Sequence, residues 1–345
     1  MRKTVLAMSM MLALAALPLQ AQVPPTQAGA SPVQQDTVGA DGIRTEATVI
    51  VDGTQPGPGL WLIRKDGHDL WILGTVSPLP SGMQWQTAQI DSVIANAQEV
   101  MYAPSLSVGS DIGKFRAMLL LPSLIGIKNN PDGKRLSDVL SPQTYVRWSA
   151  FRDRFLDRDA DKLRPAFAAD ALWRAAIKRS GMSEKNIAKS AVAAAVERHH
   201  PKVTVVNHAI SVKDPKAMLK QFKAEDLEDM ACLERTLDRL GEDMETLRGR
   251  ANAWATGDVA AIRAMPQTDQ YQACMDAVTE SGIGRKLGMG DVAAKLREEW
   301  LVKAEAALAA NATTFAVLPM RDLLRQGGVA DTFKAKGYTV LAPDE

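Results

Sequence analysis

Residues 60–77 read LWLIRKDGHDLWILGTVS, and this stretch decides the fold. Two apolar runs, Leu60–Ile63 and Leu70–Leu73, flank the dipeptide Asp66-Gly67, which is a strong signal for a two-residue hairpin turn. The stretch therefore predicts two antiparallel strands. It ends in a polar loop, and such loops commonly connect a strand to a helix in α/β proteins.

Hydrophobic spacing predicts how the rest of the chain is built. Around the hairpin, the expected elements are a helix over 86–97, strands over 99–103, 313–318 and 338–341, a loop over 319–321 and a helix over 329–336. Between them lie expected helices over 142–151, 164–178, 183–199, 213–240, 247–265, 269–278 and 291–310, and a strand over 202–207. We therefore predict an α/β fold of the mixed α+β kind. Its central sheet is built from both chain ends, with a large helical insert.

The composition excludes several classes of protein. The 345 residues include 41 Lys and Arg against 40 Asp and Glu, which gives a net charge of +1. This balance argues against a nucleic-acid partner, because such proteins usually carry a basic excess. Hydrophobic residues make up 46% of the chain, enough to bury a core. Only 2 Cys are present, which excludes a disulfide-rich scaffold or a Cys-based zinc or iron–sulfur site.

The first residues are typical of an export signal. Arg2 and Lys3 precede an apolar run, Val5–Leu17, that is too short to span a membrane comfortably. We expect a signal peptide over 1–21 and an exported protein, periplasmic or extracellular. A buried or membrane-anchoring N-terminal helix is the alternative. No later stretch approaches the length of a span, so we expect no membrane span after signal cleavage.

Two further domain assignments follow from composition. Residues 22–58 are rich in Pro, Gly, Gln, Thr and Ala, which is typical of a flexible linker. The domain itself is assigned to 59–345. In an oxidising compartment, Cys232 and Cys274 are expected to pair as a disulfide, and two separate buried thiols are the alternative.

Motifs for catalysis and cofactor binding are missing from the sequence. There is no G-x-S-x-G elbow, no phosphate-binding P-loop and no H-E-x-x-H pattern. The 4 histidines are His68, His199, His200 and His208. Capping or solvated histidines are the favoured interpretation, although a metal site from Glu197, His200 and His208 is conceivable. No cofactor is expected.

Strand ends indicate where a site would lie. Gly74-Thr-Val-Ser77 and Leu318-Pro-Met-Arg321 each follow a predicted strand directly. In α/β sheets, ligands bind at the carboxyl ends of strands. We therefore expect these two loops to face any site that the protein has.

Several short motifs occur together in a characteristic order. They are Leu60-Trp-Leu-Ile63, Leu73-Gly-Thr-Val-Ser-Pro-Leu-Pro-Ser-Gly82, Leu163-Arg-Pro165, Arg297-Glu-Glu-Trp300 and Ala335-Lys-Gly-Tyr-Thr-Val340. From about residue 58 to 342 the chain resembles the TraB/GumN family, which also includes the Tiki-type membrane proteases. The resemblance implies an EreA/ChaN-like fold and a metal-dependent hydrolase or protease. It also implies a metal site built from two G-x-x-H motifs and a Glu.

The chain departs from that family pattern at each metal-binding position. Gly74 is retained, but Ser77 stands for the first His and Arg321 for the second. Leu318 replaces the second Gly, and Ala103 stands where the Glu is expected. Hydroxyl, methyl and guanidinium groups do not replace imidazole and carboxylate as ligands of a divalent metal.

These substitutions lead to three hypotheses about function. The favoured one is an exported pseudoenzyme that has lost metal-dependent hydrolysis, and in which Ser77 and Arg321 bind an anion or a carboxylate-bearing ligand. A second is an active hydrolase with a rebuilt site, using Ser77 with His68 or Asp69, or the remaining histidines. A third is an accessory protein that binds polysaccharide. The identity of the ligand or protein partner is left open.

Overall fold

The structure is a computed structural model that describes residues 37–38, 44–45, 54–110, 112–113, 118–225, 229–241, 244–265 and 270–343. It divides into two compact units, Met1–Val49 and Ile50–Glu345. In the first unit, β1 (Thr37–Val38) pairs antiparallel with β2 (Arg44–Thr45). The signal peptide predicted over 1–21 lies outside the described residues, as does most of the linker over 22–58, and their boundaries stay predictions.

The second unit contains all the remaining strands and helices. Its strands are β3 (Leu60–Lys65), β4 (His68–Thr75), β5 (Leu79–Pro80), β6 (Glu99–Met101), β7 (Ser105–Gly109), β8 (Met182–Ser183), β9 (Lys202–Thr204), β10 (Asn207–Ser211), β11 (Thr313–Pro319) and β12 (Thr339–Leu341). Its helices are α1 (Ala88–Asn96), α2 (Leu121–Leu124), α3 (Leu136–Val139), α4 (Pro142–Phe155), α5 (Pro165–Arg179), α6 (Ile187–His199), α7 (Pro215–Ala224), α8 (Met230–Gly241), α9 (Met244–Thr256), α10 (Val259–Ala264), α11 (Gln270–Thr279), α12 (Gly282–Lys286), α13 (Val292–Ala310), α14 (Met320–Leu324) and α15 (Val329–Ala335). Short 3₁₀ turns occupy Pro131–Gly133 and Arg158–Lys162.

The central sheet has six strands in the order β12-β3-β4-β11-β6-β9. Strands β4, β11, β6 and β9 are mutually parallel, whereas β3 runs against them and pairs antiparallel with β4 on one side and with β12 on the other. Beyond the ends of β6 and β9, β7 and β10 form a second parallel pair. The predicted mixed α/β fold, with a sheet drawn from both chain ends around a helical insert, is confirmed.

The β3–β4 hairpin at the start of the domain has the turn conformation that its sequence predicts. Asp66 and Gly67 have φ angles of 52° and 82°, as a type I′ turn requires at both central positions. Lys65 pairs with His68 directly across this turn, which fixes the register of β3 on β4.

The core is built around the central strands. In β11, the five residues from Thr314 to Leu318 are all buried, as expected for a parallel strand covered on both faces. Phe315 and Trp61 are almost fully buried, and burial of a phenylalanine side chain such as Phe315 contributes about 1.5–3 kcal/mol. The rigid sheet that results fixes where its strand ends, and hence the loops after them, lie.

The helix predicted over 213–240 is wrong as a single element. Helix α7 ends at Ala224, Glu225 is extended with φ −77° and ψ 135°, and α8 begins at Met230. The buried Arg164 donates hydrogen bonds to the carbonyl oxygens of Phe222, Lys223 and Glu225 at 2.7–3.0 Å. The guanidinium therefore satisfies carbonyls at the end of α7 that have no partner within the helix.

The helix predicted over 247–265 is also two helices. Gly257 has a φ of +75°, which ends α9, and the Asp258 side chain then accepts a hydrogen bond from the Ala261 amide at the start of α10. The loop predicted over 319–321 is also wrong. Two of its three residues, Met320 and Arg321, belong to the short helix α14, which begins at Met320.

The predicted disulfide is confirmed. Cys232 on α8 and Cys274 on α11 are joined, with a Cα–Cα distance of 4.4 Å. The bridge links helices that are 42 residues apart in sequence. It fastens the two ends of the segment that contains α9 and α10.

Candidate functional site

Three neighbouring parallel strands end at the same edge of the sheet. Strand β4 ends at Thr75, β11 at Pro319 and β6 at Met101. We call the residues at or just beyond these ends, Gly74, Ser77, Ala103 and Arg321, the carboxyl edge. The two loops that the sequence singled out therefore follow adjacent strands, as expected for a site in an α/β protein.

The strand register places the ends of β4 and β11 side by side. Gly74 pairs with Leu318, and Thr75 pairs with Pro319. Ser77 and Arg321 then each follow two residues after the last paired position. The Thr75 hydroxyl also donates a hydrogen bond to the Leu318 carbonyl at 3.3 Å, which joins the two strand ends. The sequence placed Ser77 and Arg321 just after two predicted strands, and the register shows that these two strands are direct neighbours.

Two buried tryptophans fix the backbone at the carboxyl edge. The Trp254 indole donates a hydrogen bond to the Gly74 carbonyl at 2.7 Å. The Trp300 indole donates one to the Tyr102 carbonyl, next to Ala103, at 2.9 Å. Because both side chains are almost fully buried, these bonds hold the loops that follow β4 and β6. Trp300 belongs to a motif already noted, whereas sequence reasoning missed Trp254.

Gly74 is needed for close packing. A Cβ atom at this position would lie 2.6 Å from the Met320 methyl carbon and 3.2 Å from a Leu323 methyl carbon. The absence of a side chain therefore lets α14, which follows β11, pack against β4. This contact brings the start of α14, where Arg321 lies, next to the end of β4.

The side chains of the carboxyl edge are accessible to solvent to different degrees. Ser77 is exposed and Ala103 is partly buried. The Arg321 side chain is 49% exposed, and its Nε lies 3.9 Å from an oxygen of Asp322. The edge thus presents a hydroxyl, a methyl and a half-exposed guanidinium.

This set of groups does not fit a divalent metal. A guanidinium cannot act as a ligand, and it repels a doubly charged ion by about 8 kcal/mol at 4 Å and an effective dielectric of 20. Throughout the part of the chain that the structure describes, no three His, Cys, Asp or Glu side chains are grouped as metal ligands.

The carboxylate nearest in sequence to Ala103 lies at the opposite end of the sheet. Glu99 is the first residue of β6 and is buried. It accepts hydrogen bonds from Lys202 at 3.0 Å, from Asn311 at 3.3 Å and from the Thr204 hydroxyl. Burial alone would raise the pKa of this carboxyl. These three hydrogen bonds outweigh burial and hold the pKa of Glu99 below its usual value.

Because of this lowered pKa, we expect the contribution of Glu99 to stability to disappear in acid. A carboxyl whose pKa is lower in the folded state stabilises the fold above its unfolded pKa, and the effect is lost as the pH falls through the folded value. A Glu99→Gln variant should therefore be less stable than the parent at about pH 6, with the difference shrinking towards about pH 3. Urea unfolding across this pH range measures the difference. A difference that is independent of pH would contradict the assignment.

The histidines do not assemble a catalytic base at the carboxyl edge. His68 begins β4, about 23 Å of strand away from Thr75, and its Nδ1 lies 2.8 Å from the Asn311 carbonyl oxygen. Asp69 follows it and pairs with Arg64 across the hairpin. The suggested pairing of Ser77 with His68 or Asp69 is therefore not formed.

The remaining three histidines have other surroundings. His199 lies 3.1 Å from Asp91 on α1. His200 caps α6 with a left-handed φ of 54°, and His208 is exposed on β10. The alternative metal site from Glu197, His200 and His208 is not formed, because the described residues contain no group of three such side chains placed to hold a metal.

These features define a class of protein: a mixed α/β fold in which two neighbouring parallel strands, β4 and β11, end side by side at the carboxyl edge. The model of the TraB/PrgY/gumN family matches residues 59–342, and the chain belongs to this family. The resemblance seen in the sequence is thereby confirmed. No curated protein matches the chain, and no solved structure matches it. Within the described residues, none of the helices has the length and apolar character needed to cross a bilayer.

Proposed function

We propose that this protein is an exported pseudoenzyme of the TraB/PrgY/gumN family that binds a carboxylate-bearing ligand at the carboxyl edge. The register of β4 and β11 is the observation that carries the proposal. It puts Ser77 and Arg321 at equivalent places after adjacent strands, where the family resemblance implies two metal-binding histidines. At these two positions, this chain has side chains that donate hydrogen bonds, in place of the metal ligands that the family resemblance implies.

The chemistry of Arg321 supports an anionic ligand. A guanidinium offers a planar set of donors that matches both oxygens of a carboxylate. The side chain is about half exposed, so a ligand from solvent can reach it. The Ser77 hydroxyl, also exposed, adds a neutral donor after the neighbouring strand. A dicarboxylate is accordingly a suitable probe for this surface.

Two observations support export. The N-terminal apolar run has the charge pattern of a secretory signal. The disulfide between Cys232 and Cys274 is of a kind that persists mainly in oxidising compartments. A periplasmic or extracellular location fits both.

Removing the guanidinium is the direct test of ligand binding. We expect the parent protein to bind succinate in a calorimetric titration, and the Arg321→Ala variant to bind it at least about tenfold more weakly, because a hydrogen bond to a charged group is lost. Arg325→Ala is the matched control, since Arg325 is an exposed arginine just beyond α14. Its affinity should equal that of the parent. Equal affinities for Arg321→Ala and Arg325→Ala, or no binding by the parent, would overturn the proposal.

A further inference from the structure

One exposed apolar surface is formed by residues 118–125, in the segment between β7 and α3. Its five apolar side chains are 43–76% exposed, and they surround the four-residue helix α2: Met118, Leu119, Leu121, Leu124 and Ile125. Scattered exposed apolar residues are ordinary, but a contiguous group usually marks an interaction site. We call these five residues, together with the lysines described next, the apolar-cationic surface.

Lysines border the apolar residues. Lys216, Lys220 and Lys223 follow one another at intervals of four and three residues along α7, so they share one helix face. The Lys223 ammonium donates a hydrogen bond to the Ile125 carbonyl at 2.7 Å, which turns this face towards α2. Lys128, just after α2, is also exposed.

The charge within 118–130 and within α7 has a single sign, and Glu225 is the acidic residue that follows α7 directly. Neither 118–130 nor α7 contains an acidic residue. The nearest one before α7, Asp214, is engaged as the helix cap and accepts a hydrogen bond from the Ala217 amide at 2.9 Å. The lysines are therefore not neutralised by acidic residues within these two segments.

A buried clamp holds the two halves of the surface together. The Arg164 guanidinium, only 2% exposed, donates hydrogen bonds to the Asn129 carbonyl after α2 and to carbonyls at the end of α7. It also stacks on the Phe222 ring, with its carbon 4.9 Å from the ring centre. The apolar residues and the lysines are thus presented by one supported substructure.

We propose that the apolar-cationic surface binds the interface of an anionic phospholipid membrane. Apolar side chains bordered by lysines match the layers of such an interface, where acyl chains lie beneath phosphate groups. Each lysine near an anionic surface adds about 1 kcal/mol of attraction. A second copy of the chain is a poorer occupant, because a two-fold contact would bring the lysines of both copies together. The protein would lie on the membrane through this surface without crossing it.

Sedimentation with lipid vesicles tests this proposal. The full chain should bind vesicles of equal parts phosphatidylglycerol and phosphatidylcholine, should not bind vesicles of phosphatidylcholine alone, and should lose affinity as salt is added. The Lys216→Glu/Lys220→Glu variant should bind at least about 30-fold more weakly, and Leu121→Glu/Ile125→Glu at least about tenfold more weakly. All substituted residues are on or near the surface, and circular dichroism checks that each variant remains folded.

The matched control is Val146→Glu/Val302→Glu, which places two acids at positions that are 67% and 61% exposed on other helices. It should bind vesicles more tightly than either surface variant.

The N-terminal apolar run, residues 5–17, is identical in every variant that is compared. If that run were responsible for binding, the surface variants would bind as well as the control, and this result would overturn the proposal. Failure of the parent to bind anionic vesicles would overturn it too, as would a dimer that only the surface substitutions dissociate.

Discussion

Replacing Cys232 and Cys274 with alanine is expected to lower the free energy of unfolding by about 4 kcal/mol, because the bridge restricts the unfolded chain. The two cysteines are 42 residues apart, and the closed loop contains α9 and α10. Trp254, the donor to the Gly74 carbonyl, lies within this loop. Loss of the bridge should therefore also loosen the backbone at the carboxyl edge.

Urea unfolding with and without dithiothreitol measures this effect. The parent in dithiothreitol should become as unstable as the double alanine variant in the absence of reductant. The double variant should be insensitive to dithiothreitol, which makes it the internal control. Equal stability of the oxidised parent and the double variant would show that the bridge does not stabilise the fold.

Substituting Asp161 with asparagine is expected to cost about 2–3 kcal/mol, because it removes the buried counter-charge of the Arg152 guanidinium, which then keeps only Asp153, whose side chain is 59% exposed. The Arg152 and Asp161 side chains are each 7% exposed, and their closest nitrogen and oxygen are 2.5 Å apart. The Trp148 indole and the Tyr145 hydroxyl donate further hydrogen bonds to the same carboxylate, at 2.8 and 3.1 Å. Burial raises the pKa of Asp161, but these hydrogen bonds outweigh it and hold the pKa below its usual value.

Asp159→Asn is the matched control for this prediction. Asp159 lies two residues away and pairs with Lys162, but its side chain is 79% exposed. Exposed ion pairs contribute little because water screens them. The midpoint temperature of thermal unfolding should therefore be clearly lower for Asp161→Asn than for Asp159→Asn, which should be close to the parent. A similar, small effect of both substitutions would contradict the role assigned to the buried pair.

Local sequence patterns correctly predicted the elements whose conformation depends on residues within the same segment. The Asp66-Gly67 turn was predictable because only a few residue types adopt positive φ at both turn positions. The parallel strand β11 was predictable because its apolar run is short and rich in residues that favour strands. Both elements depend mainly on residues within their own segment.

Elements that depend on distant residues were not predictable in this way. The helix predicted over 213–240 is divided after Ala224, where the terminal carbonyls are taken by Arg164, about 60 residues earlier in the chain. Hydrophobic periodicity carries no information about such a partner. Trp254 was missed for the same reason, since its hydrogen bond joins α9 to a strand end 180 residues away in sequence.

The sequence placed the candidate site after two strands and within the family motifs. The exposure and hydrogen-bond partners of its residues came only from the structure. Ser77 and Arg321 were identified as equivalent in the sequence, and the register of β4 with β11 supplies the geometric reason. The direction of β6 then separates Glu99 from Ala103, because Glu99 begins this strand and Ala103 lies two residues beyond its end. A carboxylate near the site in sequence is thus remote from it in the sheet.

The most direct test of the account is a calorimetric titration with Mn²⁺, Co²⁺ and Zn²⁺ of the parent and of a variant that combines Ser77→His, Ala103→Glu and Arg321→His. Imidazole and carboxylate groups are the ligands that these ions prefer. The parent is expected to take up none of the three ions, and the variant is expected to gain a single site for at least one of them. Stoichiometric binding by the parent, or no gain in the variant, would contradict it.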